Sequence, residues 1–215
     1  MKKKKIITMV AAMALTVGLV GCTSGGMKLP EGDVKIVNQA TQGVVELLLE
    51  ASNYGRDKSS VTSVVLPVDS EYEVTLYKEK YSMGELVEEK EISKYTTETI
   101  AKDSIMHIIF NVAKLNDGEA DKSIISIAEI DRENSEDSKN PSYKVSKFND
   151  EAIDFDSRTL VDQSGKDLDE EQALAAFVKF NEDDNEKAAI NLDTYKDEVS
   201  KYKEATIFKI KVTKK

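Results

Sequence analysis

Residues 72–95 read YEVTLYKEKYSMGELVEEKEISKY, and this stretch decides the fold class. In it Tyr72, Val74 and Leu76 alternate with more polar residues, and a period of two is typical of a strand with one buried face. Residues 82–84 (Ser-Met-Gly) have the composition of a turn, and residues 85–93 supply a returning strand. The stretch therefore predicts an antiparallel β-hairpin.

Other strands are predicted on both sides of the hairpin, from the same period or from short apolar runs. They cover residues 61–66, 104–115, 123–130, 143–148 and 208–212. The stretch 104–115 is apolar on both faces, which favours a central strand that is covered on both sides. Together these strands predict a mainly β fold with an antiparallel, sandwich-like body.

Three stretches in the C-terminal half carry more specific expectations. In 208–212 Lys209 alternates with apolar residues, so it is expected on a face open to water. Residues 172–180 fit either a helix or a strand, and a strand is favoured because the stretch is short and an acidic turn follows it. Ser164 and Gly165 are expected to form a turn.

Two helices are expected to flank the β body, which makes the fold class α+β. Behind Asp33, a candidate N-cap, apolar residues recur every three or four positions and predict an amphipathic helix over residues 34–53. The residues of this stripe are Val37, Ala40, Val44, Leu48 and Ala51. The same spacing from Leu192 to Tyr202 predicts a short helix before the last strand.

The N-terminus has the pattern of an export signal. Residues 2–5 are four lysines, and residues 6–20 contain no charged residue. Such a run in a helix spans about 22 Å, short of the roughly 30 Å hydrocarbon core of a bilayer, which favours a signal peptide over a membrane span. The residues that follow, Leu19-Val20-Gly21-Cys22, resemble the lipobox of bacterial lipoproteins.

The resemblance implies that residues 1–21 are removed as a signal peptide and that the thiol of Cys22 receives diacylglycerol. Two acyl chains attach a protein stably to a membrane, where one chain is marginal. Residues 22–32 then form a tether that reaches at most about 35 Å, and residues 33–215 form the extracytoplasmic body. The expected location is the outer face of the cell membrane, with the membrane itself as one partner.

The composition of the body excludes some partners and some chemistry. Removal of residues 1–21 takes four lysines and no acidic residue, so the formal charge moves from −10 to −14. Such an acidic body is repelled by nucleic acid, and no nucleic-acid partner is expected. Cys22 is the only cysteine of the chain, so the body has no disulfide and no thiolate ligand. The polar segment 131–142 is expected to divide two possible lobes, residues 33–131 and 143–215.

Few residue types in the chain suggest a reactive site. His107 is the only histidine, and its place in the most apolar strand favours a structural role, so no catalytic residue is predicted. No cofactor is expected, and one histidine without a thiol is too few ligands for structural zinc. The acidic stretch 181–186 offers oxygen ligands for calcium, although its spacing departs from the EF-hand pattern and a solvated turn is favoured. The candidate ligands are Asn181, Asp183, Asp184 and Glu186.

These observations favour a non-catalytic module of the cell envelope, which binds an envelope protein or a wall component close to the membrane. One alternative is an envelope carrier or solute-binding lipoprotein. An apolar cavity with a few convergent polar groups would favour that alternative, and a filled core would exclude it. A hydrolase is a third alternative, since 40 acidic residues guarantee some pair of carboxylates at a suitable separation.

Overall fold

The computed structural model describes residues 29–39, 47, 51, 59–100, 106–113, 122–131, 142–151, 153–182 and 188–215. Apart from Leu47 and Ala51, which are helical, the regular elements within these ranges are strands and one short helical segment. The strands are β1 Val34–Gln39, β2 Ser59–Val65, β3 Tyr72–Ser82, β4 Glu85–Thr96, β5 Met106–Ala113, β6 Lys122–Asp131, β7 Ser142–Glu151, β8 Ser157–Leu160, β9 Gln163–Lys166, β10 Glu171–Lys179 and β11 Glu204–Lys214. The helical segment is α1, Tyr195–Glu198, which continues as a 3₁₀ turn over Val199–Lys201.

The strands form two sheets in which every pairing is antiparallel. One sheet has six strands in the order β7-β6-β5-β2-β1-β9, and the other has five in the order β4-β3-β11-β10-β8. The mainly β, antiparallel class predicted from the alternating stretches is therefore confirmed. The strand predicted at 172–180 is also confirmed, as β10, and β5 lies in the interior of its sheet between β2 and β6.

The hairpin predicted from 72–95 is formed by β3 and β4. Met83 and Gly84 connect them with positive φ angles of 51° and 87°, the conformation that a two-residue hairpin turn requires. Strand β4 lies at the edge of its sheet, and its register with β3 shifts at two positions, beside Val87 and beside Ile92. Such bulges twist an exposed edge and reduce unwanted pairing with other chains.

The two sheets pack face to face around one core. Tyr72, Val74 and Leu76 of β3 are at most 1% exposed, and they belong to the same packed cluster as Ile36 of β1 and Ile127 of β6. In β3, the apolar residues that predicted the hairpin thus face the inter-sheet core, and the residues between them face the opposite side of the sheet. Burial of this apolar surface is the main contribution to the stability of the body.

A second, smaller core lies on the outer face of the five-stranded sheet. There Ile207 of β11 packs with Tyr195, Val199 and Tyr202, which belong to the segment 188–203. We call this segment the cover, because it lies over the sheet and buries part of its outer face. The short helix expected before the last strand is confirmed within it, although its α-helical part is limited to Tyr195–Glu198.

The helix predicted over 34–53 is wrong in its first six residues, which form β1. Val34 and Ile36 are 1% and 0% exposed in the inter-sheet core, and β1 pairs with β2 on one side and β9 on the other. Tertiary pairing has overridden a helical spacing of apolar residues, as it often does for short segments. Of the remaining residues, 40–53, only Leu47 and Ala51 are described, both helical and exposed.

The turn predicted at Ser164-Gly165 is also wrong, because both residues lie in β9. Gly165 pairs with Lys35, and residues Pro30 and Glu31 cross directly over it. A side chain at Gly165 would collide with the carbonyl oxygen of Glu31. Glycine therefore serves here for close approach of two backbone segments and not for a turn.

The polar segment 131–142 lies between β6 and β7, and these two strands pair with each other along their length. Both sheets contain strands from 33–131 and from 143–215, as when β3 pairs with β11 in the five-stranded sheet. Residues 132–141 lie outside the described part of the chain.

Candidate functional site

A cleft of about 730 Å³ lies beside the cover, at the corner where the chain crosses from one sheet to the other. Its walls are the end of β8, strand β9, the first residues of β10 and residues 191–197 of the cover. Because β8 and β9 both lie at sheet edges, the cleft opens at the side of the sandwich. Its size falls within the range of ligand-binding sites.

The inner wall of the cleft contains a buried lysine. The Lys209 Nζ lies 2.5 Å from Glu79 Oε1 and 2.7 Å from Glu171 Oε2. The side chains of Lys209 and Glu79 are only 3% and 5% exposed, whereas that of Glu171 is 44% exposed. Glu171 thus connects a buried ion pair with the open cleft.

Two tyrosines complete the surroundings of Glu79. Tyr195 of the cover donates a hydrogen bond to Glu79 Oε2 at 2.7 Å, and Tyr81 of β3 donates one to the same oxygen at 2.9 Å. The two rings meet edge to face, with centroids 6.3 Å apart and an interplanar angle of 70°. We call Lys209, Glu79, Glu171, Tyr81 and Tyr195 the Lys209 cluster.

The protonation states of the cluster are set by burial and by its hydrogen bonds. Burial raises the pKa of Glu79, but hydrogen bonds from Lys209, Tyr195 and Tyr81 outweigh burial and hold that pKa below its ordinary value. Burial lowers the pKa of Lys209, but its bonds to Glu171 and Glu79 outweigh burial and hold that pKa above its ordinary value. The pKa values of Tyr81 and Tyr195 are raised, first by burial and then by their bonds to the Glu79 carboxylate.

These shifts all move the groups away from neutral pH. Glu79 stays ionised, Lys209 stays protonated and both tyrosines keep their protons over the physiological range. A general acid or base works best when its pKa is close to the operating pH, so the Lys209 cluster is unsuited to proton transfer. The cluster instead holds its charges in fixed positions, and the hydrogen bond from Tyr195 links the cover to the sheet.

Among the described residues, Gln172 and Thr159 each have a polar atom beside the cleft without a hydrogen-bond partner. Gln172 is 3% exposed, and its Nε2 donates to the Val34 carbonyl at 3.4 Å while its Oε1 has no partner. The hydroxyl of Thr159, near the end of β8, is also buried without a partner. Buried polar groups are usually satisfied, so unsatisfied ones that line a cleft point to a bound molecule or water.

A second group of charges joins the two sheets on the other side of the sandwich. Lys78 Nζ of β3 lies 2.6 Å from Asp150 Oδ2 of β7, and Lys90 Nζ of β4 lies 3.1 Å from Asp150 Oδ1. Burial raises the pKa of Asp150, but bonds from the two lysines and from the backbone N–H of Glu151 outweigh burial and lower it. We call these residues the Asp150 clasp.

Of the residues singled out from the sequence, Asn181 is described with its side chain, and it is not among the described residues that line the cleft. Asn181 follows β10 and donates a hydrogen bond to the Lys201 carbonyl at 3.3 Å. Asp183, Asp184 and Glu186 lie outside the described residues, and so does Cys22. His107 lies in β5 opposite Ser63 and Ala128, with only its backbone described. Among the described residues no three His, Cys, Asp or Glu side chains are grouped to hold a metal ion.

The Lys209 cluster was not predicted from the sequence. Lys209 was expected on a water-exposed face of the last strand, and this prediction is wrong because the whole residue is 2% exposed. The alternation itself is correct, since Phe208 and Ile210 face the inter-sheet core. Lys209 is buried because the cover lies over the outer face of the sheet. The pattern of a strand alone does not show which other segment covers its polar face.

No described helix has both the length and the apolar character needed to cross a membrane. Comparisons with protein-family models, with curated proteins and with solved structures find no match to this chain.

Proposed function

We propose that this protein is a lipid-anchored, extracytoplasmic binding module without catalytic activity, and that the cleft is its ligand site. The observation that carries the proposal is the cleft of about 730 Å³, whose inner wall is a set of fixed charges held by hydrogen bonds. Anchoring rests on the lipobox-like stretch Leu19-Val20-Gly21-Cys22. The ligand would be an envelope protein or a wall component.

The position of the cleft supports a role close to the membrane. Residues Pro30 and Glu31, near the end of the expected tether 22–32, pack on Gly165 of β9. Ser164 and Lys166, on either side of that glycine, line the cleft. The cleft thus lies beside the end of the expected tether, which reaches at most about 35 Å.

The filling of the body favours an external binding site over an internal carrier cavity. The space between the sheets is occupied by large buried side chains, among them Tyr72, Leu174 and Ile210. The cleft lies outside this core, and its lining mixes apolar residues with charged and polar ones. Such a site suits recognition of a polar or mixed ligand more than storage of an apolar one.

Photo-crosslinking in intact cells tests the proposal. A photoreactive residue would replace Gln163, an exposed cleft-lining residue of β9. A matched control would replace Lys147, an exposed residue of β7 at the opposite edge of the same sheet. We expect adducts at position 163 and none at position 147, identified by mass spectrometry. Equal labelling at both positions, or none at 163, would remove the cleft from the proposal.

The anchor is tested separately, with Cys22→Ala. We expect this variant to lose both lipid labelling and retention in the membrane fraction. Membrane association that is unchanged in the variant would refute lipid anchoring and leave the cleft unaffected, so the two parts of the proposal are independent.

A further inference from the structure

We propose that the cleft binds an extended peptide segment, which adds as a strand along the free edge of β10. This inference rests on the proposed function only in taking the cleft as the ligand site. It specifies the ligand class: a polypeptide or peptide-like chain recognised largely through its backbone.

The pairing of β10 leaves part of one edge free. On one side β10 pairs with β11 from Glu171 to Lys179. On the other side β8 pairs with residues 175–178, and Val161, directly after β8, donates a backbone hydrogen bond to the Leu174 carbonyl at 2.9 Å. Among the described residues, 171–173 therefore have a strand neighbour on one side only, and all three line the cleft.

The neighbouring edge in the other sheet is free as well. Strand β9 pairs with β1 and occupies the end of the six-stranded sheet. Gln163, Ser164 and Lys166 of β9 line the cleft opposite the free part of β10. The cleft thus lies between two sheet edges, and each such edge presents unpaired backbone groups that can bind another strand.

The dimensions agree with a short peptide. Three strand residues span about 10 Å, and the cleft volume of about 730 Å³ lies in the upper half of the usual range for ligand sites. A short peptide in extended form is therefore the matching ligand, and one phase of its backbone N–H groups would face β10.

Gln172 supplies an independent observation. It is 3% exposed, it lines the cleft and its Oε1 has no partner. An unsatisfied amide oxygen beside a free strand edge is an acceptor for a backbone or side-chain N–H of an added strand. A bound peptide that donates to it would remove the desolvation cost of this atom.

Two peptide libraries provide the test. The first consists of linear pentapeptides with random side chains and capped ends. The second has the same side chains with alternate backbone nitrogens methylated, in each of the two possible phases. The target is the full-length lipidated protein in detergent, with Gln163→Trp as the cleft-blocked variant. Lys147→Trp, at the opposite edge of the sheet, is the matched control.

We expect the unmethylated library to yield binders that Gln163→Trp weakens at least about tenfold and Lys147→Trp leaves unchanged. In those binders methylation in one phase should weaken binding about tenfold or more, because ladder hydrogen bonds are lost, and methylation in the other phase should have little effect. Binders that are insensitive to the phase of methylation would overturn strand addition.

The failure of this inference is distinguishable from failure of the proposed function. If the protein retains no peptide while position 163 still gives adducts in cells, the ligand is not a peptide and the cleft remains the ligand site. If neither peptides nor adducts are found, both proposals are overturned.

Discussion

The five-stranded sheet buries a lysine on each of its faces, and the two lysines are neutralised in different ways. Lys78 faces the inter-sheet core and pairs with Asp150 of the other sheet. Lys209 faces outward and pairs with two carboxylates of its own sheet, Glu79 and Glu171. The Asp150 clasp therefore holds two sheets together, whereas the Lys209 cluster fixes the cover and one wall of the cleft through Tyr195.

The surroundings of the two lysines also differ in charge. Lys78 and Lys90 provide two positive charges around Asp150. At Lys209 negative charges outnumber positive ones, because a single ammonium pairs with both Glu79 and Glu171. A third carboxylate, that of Glu89, lies 3.8 Å from the same nitrogen. Removal of the single cation is thus the most damaging change at the outer site, and removal of the single anion is the most damaging change at the inner one.

The largest effect is expected for Lys209→Met. It leaves the buried Glu79 carboxylate without its cation, and breaking a buried pair in this way costs about 3–5 kcal/mol in the free energy of unfolding. Denaturant titration followed by circular dichroism measures the change. Lys214→Met, at an exposed position of the same strand, is the matched control and should change stability by less than about 0.5 kcal/mol.

A double variant sharpens this prediction. Glu79→Gln in the Lys209→Met background removes the uncompensated charge, so we expect it to recover part of the lost stability. A double variant no more stable than Lys209→Met alone would show that packing, and not charge, dominates at this position.

The next effect in size is expected for Asp150→Asn. It removes the anion of the clasp and leaves Glu88, at 3.6 Å, as the remaining described carboxylate beside the buried Lys78 ammonium, so a loss of about 3 kcal/mol in the free energy of unfolding is expected. Lys90→Met is the comparison within the clasp: the Lys90 side chain is 50% exposed, and its removal should cost no more than about 1 kcal/mol. Similar losses in the two variants would contradict the assigned roles.

A smaller effect is expected for Tyr195→Phe. It removes a hydrogen bond to a charged carboxylate, which contributes about 1.5–3 kcal/mol, and it keeps the ring in the second core. Because Tyr195 joins the cover to the sheet, hydrogen exchange in residues 191–197 should accelerate. Tyr81→Phe removes a bond to the same oxygen from within the sheet and should leave exchange in the cover near the wild-type rate.

Much of the architecture could be predicted from local pattern. The alternation at 72–76 placed β3 correctly, and the spacing of Tyr195, Val199 and Tyr202 placed the short helical segment. These predictions are correct because, in each element, the regularly spaced apolar residues are the ones that lie on its buried face. Val34 to Gln39 was missed because its strand conformation depends on pairing with β2 and β9, which are distant in sequence.

The candidate site was not predictable from local pattern for the same reason. Lys209, Glu79 and Tyr195 come from three distant parts of the chain, and each is an ordinary polar or aromatic residue in its own segment. Only the pairing of β11 with β3 and the placement of the cover bring them together. The free edge of β10 likewise follows from where β8 ends, which the composition of 157–160 does not reveal.

The smallest effect is expected in the dependence of stability on acid pH, and it differs between the two faces of the five-stranded sheet. The pKa of Glu79 lies below its ordinary value of 4.5, so its contribution to stability is complete above pH 4.5 and is lost as the pH falls through the lowered value. Asp150 behaves in the same way from its ordinary value of 3.8. The pKa of Lys209 is raised above 10.5, so its contribution persists at neutral pH and is lost only at higher, alkaline pH.

The free energy of unfolding, measured between about pH 6 and pH 2, tests this order. That range extends about two units on either side of the ordinary carboxyl pKa values. The double variant Lys209→Met with Glu79→Gln should lose less stability on acidification below pH 4.5 than the wild-type protein. Asp150→Asn should flatten the profile only below pH 3.8. If acidification affects the double variant and the wild type equally, Glu79 does not contribute through its charge, and the Lys209 cluster holds the cover by packing alone.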